Sequence, residues 1–297
     1  MSERARIEWP TLGLVLLVYL TWGAALVWLP VWLAVPVLAV TIALHSSLCH
    51  EALHGHPTRI GWVNAALVFP ALGLCVPYLR FKDTHLAHHQ DSRLTDPYDD
   101  PESNYLDPAV WRALPLWRKA LHRVNNTLAG RLVLGPVMGQ IAFMVADWRL
   151  IRAGDRRVLW GWVAHIPAIA LVLALVVLSP LPLWAYLIAA YAAMAILRIR
   201  TFLEHQAHEK ARGRTVIIED RGPLAFLFLN NNLHVVHQIH PRVPWYGLPR
   251  LYRQNRDRYL HQNEGYRYRS YAEIFRRYFL SAKDPVPHPL YEDWTTR

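Results

Sequence analysis

Two uninterrupted apolar runs constrain this chain more than any other feature: "TLGLVLLVYLTWGAALVWLPVWLAVPVLAVTIAL" at 11–44 and "VLWGWVAHIPAIALVLALVVLSPLPLWAYLIAAYAAMAIL" at 158–197. A bilayer crossing takes about 20 helical residues, so each run holds two crossings. Pro30 with Pro36, and Ser179-Pro180 with Pro182, mark the turns between them. Two shorter segments, 62–79 and 132–148, are interrupted by Pro and Gly and read as re-entrant or interfacial. The start, "MSERARIEW", carries charge without a small-residue cleavage site, which predicts a retained first helix.

Charge gives the orientation. The short turns near Pro30 and Ser179 carry no Lys or Arg, whereas 80–157 and 198–297 hold nearly all 32. The positive-inside rule then places both termini and both polar segments in the cytoplasm, as in a multi-pass protein of the cell inner membrane. The expected fold class is all-α: an integral membrane bundle of about four transmembrane helices with a cytoplasmic helical cap. The transmembrane hairpins fall at about 11–54 and 158–204, the cap at about 80–157 and 205–297. The whole of 1–297 reads as a single domain.

A net charge of +10 invites a nucleic-acid reading, but no recognition module accompanies it. Arginines alternating with aromatics, as in "LYRQNRDRYL" and "YRYRS", suit a surface lying against anionic headgroups or meeting an acidic protein. Cys49 and Cys75 are the only cysteines and form no metal-type pair, so buried inert thiols are expected.

The first apolar run ends in "HSSLCHEALHGHPTR", the opening of a larger histidine pattern. His50 and His54 stand at i and i+4, on one helix face. In "HLAHH", His85, His88 and His89 occupy i, i+3 and i+4. His205 follows the last crossing in "RTFLEHQAHE". In "NNNLHVVHQIHP", His234 and His237 are i and i+3, with Gln238 at i+4. Neutral imidazole is a common nitrogen ligand for transition metals. A zinc protease of the H-E-x-x-H kind needs only His50 and His54, which leaves the later clusters without a role. Eight histidines are too many for one ion and suit two, and with few carboxylates among them an all-nitrogen pair of irons is favoured over a carboxylate-bridged one.

In this order, "HEALHGH", "HLAHH", "EH" and "NLHVVHQ...P..PWYGLP" resemble the membrane fatty acid desaturase superfamily, which includes alkane hydroxylases and carotenoid ketolases, over roughly residues 40 to 250. The resemblance implies a di-iron centre (two Fe ions) that uses O2 to remove hydrogen from unactivated C–H bonds. It implies as ligands and catalytic residues His50, His54, His85, His88, His89, His205, His234 and His237. The family's third box usually ends in a histidine pair, where this chain has Gln238. That amide is expected to ligate weakly or to hold a water on the metal. His240 precedes Pro241 and lies at i+6 from His234, off the shared face.

The expected activity is a fatty acyl or lipid desaturase introducing a C=C bond. The alternative within the same chemistry is a hydroxylase or ketolase on alkane, fatty acid or carotenoid, and the remote ones are an intramembrane zinc metalloprotease or a metal transporter. No nucleotide loop, iron–sulfur cysteine set or fused haem motif is present, so the electrons are expected from a separate donor such as ferredoxin with its reductase. The substrate is expected to be a membrane lipid or acyl chain. His45 reads equally as a ligand or as a histidine hydrogen-bonded within the bundle, while His122, His165, His261 and His288 read as structural. Glu51 and Glu204 read as acceptors behind imidazoles, and Asp83, Asp91 and Asp96 as solvated loop carboxylates.

Overall fold

The computed structural model describes residues 7–90, 94–98, 100 and 103–291. Asp91 lies outside them. In chain order the helices are α1 (Trp9–Trp28), α2 (Val31–Leu53), α3 (Gly61–Leu67), α4 (Tyr78–Gln90), α5 (Pro108–Ala113), α6 (Leu116–Asn125) and α7 (Leu128–Arg152). They continue with α8 (Arg156–Leu178), α9 (Leu183–Thr201), α10 (Pro223–Leu227), α11 (His234–Ile239), α12 (Leu248–Gln254), α13 (Arg256–Gln262) and α14 (Tyr271–Tyr278). Two short strands, β1 (Ile217–Ile218) and β2 (Arg267–Tyr268), pair in parallel. The contacts divide the chain into two compact units.

The first unit comprises Met1–Asp83, Pro136–Leu197 and Leu227–Leu229. Its helices are apolar on nearly all sides, and large residues such as Leu16, Leu20, Trp28, Ile166, Leu178 and Trp184 remain exposed on it. Exposed apolar surface on that scale marks a lipid-facing exterior. Pro10 starts α1 where its missing N–H has no partner to lose, and Pro30 caps α2. Polar groups are sealed inside. The Trp22 indole donates to the Tyr186 hydroxyl at 3.0 Å, which donates to the Leu72 carbonyl at 2.8 Å. The Arg80 guanidinium donates twice to Asp147, Nε to Oδ2 at 2.9 Å and Nη2 to Oδ1 at 2.8 Å. The Trp162 indole supplies Asp147 Oδ2 with another donor at 2.8 Å. Gly161 admits the Arg80 side chain here, because a Cβ would meet Arg80 Cδ at 2.8 Å.

Among the described residues five helices are long and apolar enough to cross a membrane: α1, α2, α7, α8 and α9. The segment expected to be re-entrant or interfacial, 132–148, is not re-entrant but lies within the continuous 25-residue α7. Its Gly and Pro content suggested a break, but in an apolar environment the freed amides have no water to turn to, so the helix persists through Pro136. The other interrupted segment, 62–79, contains only the seven-residue α3 before irregular backbone leading to α4.

The second unit comprises Thr84–Gly135, Arg198–Phe226 and Asn230–Arg297. Its core gathers Ile217, Leu233, Val235, Val236, Leu248, Tyr252 and Tyr259 from β1, α11, α12 and α13. Asn232 fastens α11 to β1, its side-chain amide donating to the Ile218 carbonyl at 2.7 Å while the Ile218 N–H donates to the Asn232 carbonyl at 2.8 Å. At the edge, Glu219 accepts from Arg256, Arg267 and Tyr252. The Arg256 guanidinium, foremost among these partners, holds its carboxyl down at about 2.

Candidate metal centre

Helical spacing does the first part of the positioning. On α4, His85, His88 and His89 at i, i+3 and i+4 share one side of the helix, with His88 meeting His205 and His89 meeting His237. On α11, His234 and His237 at i and i+3 also share a side. His205 sits past the end of α9, in an extended segment bridged antiparallel to Thr215. The bonds from Val216 N–H to Glu204 O and from Gln206 N–H to Arg214 O, at 3.1 and 2.9 Å, hold that segment.

Six of the histidines thereby form two trios within the second unit. In one, His85, His89 and His237 meet through their Nε2 atoms, His89 to His85 at 3.0 Å and His237 to His89 at 3.2 Å. In the other, His88, His205 and His234 present ligand atoms that all lie within 4.8 Å of one another, with His88 Nε2 and His205 Nε2 3.0 Å apart. The trios adjoin, the rings of His234 and His237 lying 5.9 Å apart.

The second trio shows how its tautomers are set. His88 Nδ1 lies 2.9 Å from Asp100 Oδ1, both groups fully buried, so the proton sits on Nδ1. His234 Nδ1 faces the Asn231 amide oxygen at 3.1 Å, with Glu204 behind, 3.8 Å from the same nitrogen and 3.1 Å from Arg200. The Thr215 hydroxyl spends its proton on Gln238 Oε1 at 2.8 Å, leaving its oxygen to accept from His205 Nδ1 at 3.4 Å. All three Nε2 atoms then carry lone pairs. His234 Nε2 is buried without a hydrogen-bond partner among the described residues.

Burial chiefly, reinforced by His205, His237, Arg200 and His88, keeps His234 well below the usual imidazole range, in the neutral form that ligates. Lone pairs facing one another at 3.0 Å in a buried pocket repel unless a cation lies among them. Nitrogen donors fixed from behind by a carboxylate, an amide and a hydroxyl are the arrangement a transition metal selects.

His50 and His54 belong to the first unit, side by side at the end of α2 with ring centroids 4.8 Å apart. Glu51 is buried beside them, its Oε1 4.0 Å from His50 Nδ1. Gln238 has its amide oxygen engaged by Thr215. Several of the remaining histidines have structural partners. His45 contacts the Tyr19 hydroxyl at 3.3 Å and the Cys49 thiol at 3.7 Å, which is the bundle role. His165 reaches the Leu74 carbonyl at 2.8 Å, His288 the Thr95 hydroxyl at 3.1 Å, and the His240 ring stacks edge-on against Tyr259. Asp83 pairs with Arg157 and Arg80, and Asp96 caps the Tyr98 amide.

Asp100 and Thr215 escaped the sequence reading. Asp100 belongs to the acidic loop "TDPYDDPES", where nothing local distinguishes one carboxylate from the next.

Among the described residues, histidine clusters that could hold metal accompany five helices long and apolar enough to cross a membrane. A family model described as Fatty acid desaturase matches residues 26–270, and the chain belongs to that family. No curated protein matches the chain. Membership makes it an oxidoreductase of the desaturase or oxygenase type, a typically metal-dependent class, and removes the protease reading.

Proposed function

We propose that the protein is an O2-dependent di-iron membrane oxidoreductase that introduces a C=C bond into a fatty acyl lipid. The observation that carries it is the pair of adjoining histidine trios, with Nε2 atoms 3.0 to 3.2 Å apart and, in the trio of His88, His205 and His234, Nδ1 atoms held by Asp100, Thr215 and Asn231. Side chains alone cannot oxidise a methylene group; bound iron with dioxygen supplies that power.

The residues divide the work. His85, His89 and His237 are donors to one ion and His88, His205 and His234 to the other, and the family reading adds His50 and His54. Asp100 keeps the His88 proton on Nδ1 and raises the basicity of Nε2, as carboxylates behind metal-bound imidazoles do. Gln238 stands where the family has a second histidine. Its contact with Thr215 supports a role behind the metal: it takes the Thr215 proton and so fixes the tautomer of His205. Buried surroundings keep bulk water from the donors.

The crossings bring a bilayer-dissolved acyl chain to the site, and both termini and the histidines face the cytoplasm, as the distribution of Lys and Arg favours. Electrons come from a separate carrier of the ferredoxin kind, attracted by a chain of net charge +10. The test is lipid mass spectrometry of cells expressing the chain against cells expressing the His88→Ala variant. Products short of two hydrogens support the desaturase. Products gaining one oxygen replace it with a hydroxylase or ketolase, and an unchanged lipid profile from protein carrying iron rejects both.

A further inference from the structure

Helix α6 is amphipathic with its apolar side turned outward. Leu116, Trp117, Ala120, Leu121 and Val124 form one stripe, and Leu116 is 81 % exposed, Trp117 64 % and Val124 52 %. Arg118, Lys119 and Arg123 form the neighbouring stripe, and among the described residues none of them meets a carboxylate. No Asp or Glu occurs from 108 to 146, while Arg112 and Arg131 add to the charge. The cations lie over aromatic rings, Arg118 5.1 Å from the Trp117 centroid and Arg123 5.5 Å from that of Trp111.

The helix is held firmly. Two residues separate it from α7, one of the helices able to cross a membrane. Thr127 caps that corner, accepting from the Gly130 amide at 3.0 Å and donating to the Val124 carbonyl at 2.8 Å. Arg131 Nε donates to the Asn125 carbonyl at 2.9 Å. The two backbones touch at Gly130, where a Cβ would fall 1.8 Å from Val124 O. Next to this corner the Phe279 carbonyl accepts from the Ala129 amide, and exposed Phe279 and Leu280 extend the apolar patch beside exposed Arg276 and Arg277.

We propose that α6 lies in the plane of the membrane surface and binds anionic phospholipid headgroups, with its apolar stripe in the acyl boundary and Arg118, Lys119 and Arg123 on the phosphates. Continuity with α7 sets its depth, since Val133, Val137 and Ile141 are exposed just past the corner and an element two residues from such an apolar helix stands at headgroup level. The combination of exposed Trp and Leu with cations that meet no carboxylate, Lys119 donating only to the Arg112 carbonyl at 2.8 Å, matches an interfacial helix, whereas an acidic protein partner would leave Leu116 and Leu280 in water. The proposal rests on the membrane reading and is independent of the metal.

The test uses the full chain in nanodiscs of phosphatidylcholine alone or with about one phosphatidylglycerol in three, a fraction at which each surface cation favours anionic lipid on the order of fivefold. Two readouts apply: amide exchange over 116–125, and the ratio of anionic to zwitterionic lipid retained on detergent extraction. We expect slower exchange with phosphatidylglycerol and a retained ratio well above the bulk ratio. That ratio should fall to bulk in R118Q/K119Q/R123Q and persist in the charge-matched K210Q/R212Q/R221Q, whose Lys210 and Arg212 pair with Glu264. A bulk ratio for the unaltered chain overturns the proposal, as does equal loss in both variants. Protection of α6 in lipid-free micelles by a second copy, or only on adding an acidic carrier, also overturns it. Loss of iron or of activity leaves these readouts untouched, so failure of the enzymatic reading remains distinguishable.

Discussion

The two units bury polar clusters of opposite character. In the first, Arg80, Asp147 and Trp162 form a closed set in which donors and carboxylate oxygens match within 2.8 to 2.9 Å. In the second, like groups face one another, imidazole nitrogens 3.0 Å apart whose protons have been drawn to the far side of the ring. The first cluster is complete as it stands and serves architecture. The second could hold a cation among its nitrogens, and that difference is the physical basis for reading one as a strut and the other as a candidate site.

The comparison can be broken most forcefully at the site. His88→Ala should lower product formation about a thousandfold or more, because ligands acting as one unit fail together, while the helical content measured by circular dichroism stays at its original value. Appreciable residual product would show the trio to be ordinary buried polar structure. The next effect belongs to the strut. Asp147→Ala removes both short hydrogen bonds of a buried guanidinium, leaving its 3.5 Å contact with Asp83, and should cost about 3 kcal/mol, read as a lowered thermal midpoint equally with and without metal. A midpoint shift confined to the metal-loaded protein would erase the distinction drawn between the clusters.

A smaller change sharpens it. Asp100→Asn keeps shape and removes charge behind His88, so metal affinity should fall about 10- to 100-fold in a chelator competition, with the metal-free thermal midpoint unmoved. The smallest effect lies outside both clusters. Glu219 has its carboxyl lowered to about 2 from an ordinary 4.5, so its pairing with Arg256 stabilises fully above pH 4.5 and is lost as pH falls toward 2. A thermal midpoint followed over that interval should decline more for the original chain than for Glu219→Gln.

The sequence disclosed the histidines because helical spacing alone puts His85 and His89, or His50 and His54, on a common face. It disclosed α1, α2, α8 and α9 as helices long and apolar enough to cross a membrane because their apolar runs are long. It could not disclose how the donors sort, since His88 leaves its neighbours on α4 to join His205, 117 residues away. Nor could it single out Asp100, or join Arg80 to Asp147 across 67 residues, because such pairings exist only once the chain is packed. The full length of α7 was hidden by Pro136 and its glycines, whose local preference for breaks yields to the need of apolar surroundings for paired amides. Gln238 announced itself as a departure, and only the Thr215 contact supplies a role for it.

The most direct measurement is metal analysis with Mössbauer spectroscopy on protein purified and reduced without oxygen. About two irons per chain in nitrogen-rich coordination are expected, with one of them lost in His234→Ala. A single zinc per chain, or iron content indifferent to His234, would contradict that expectation.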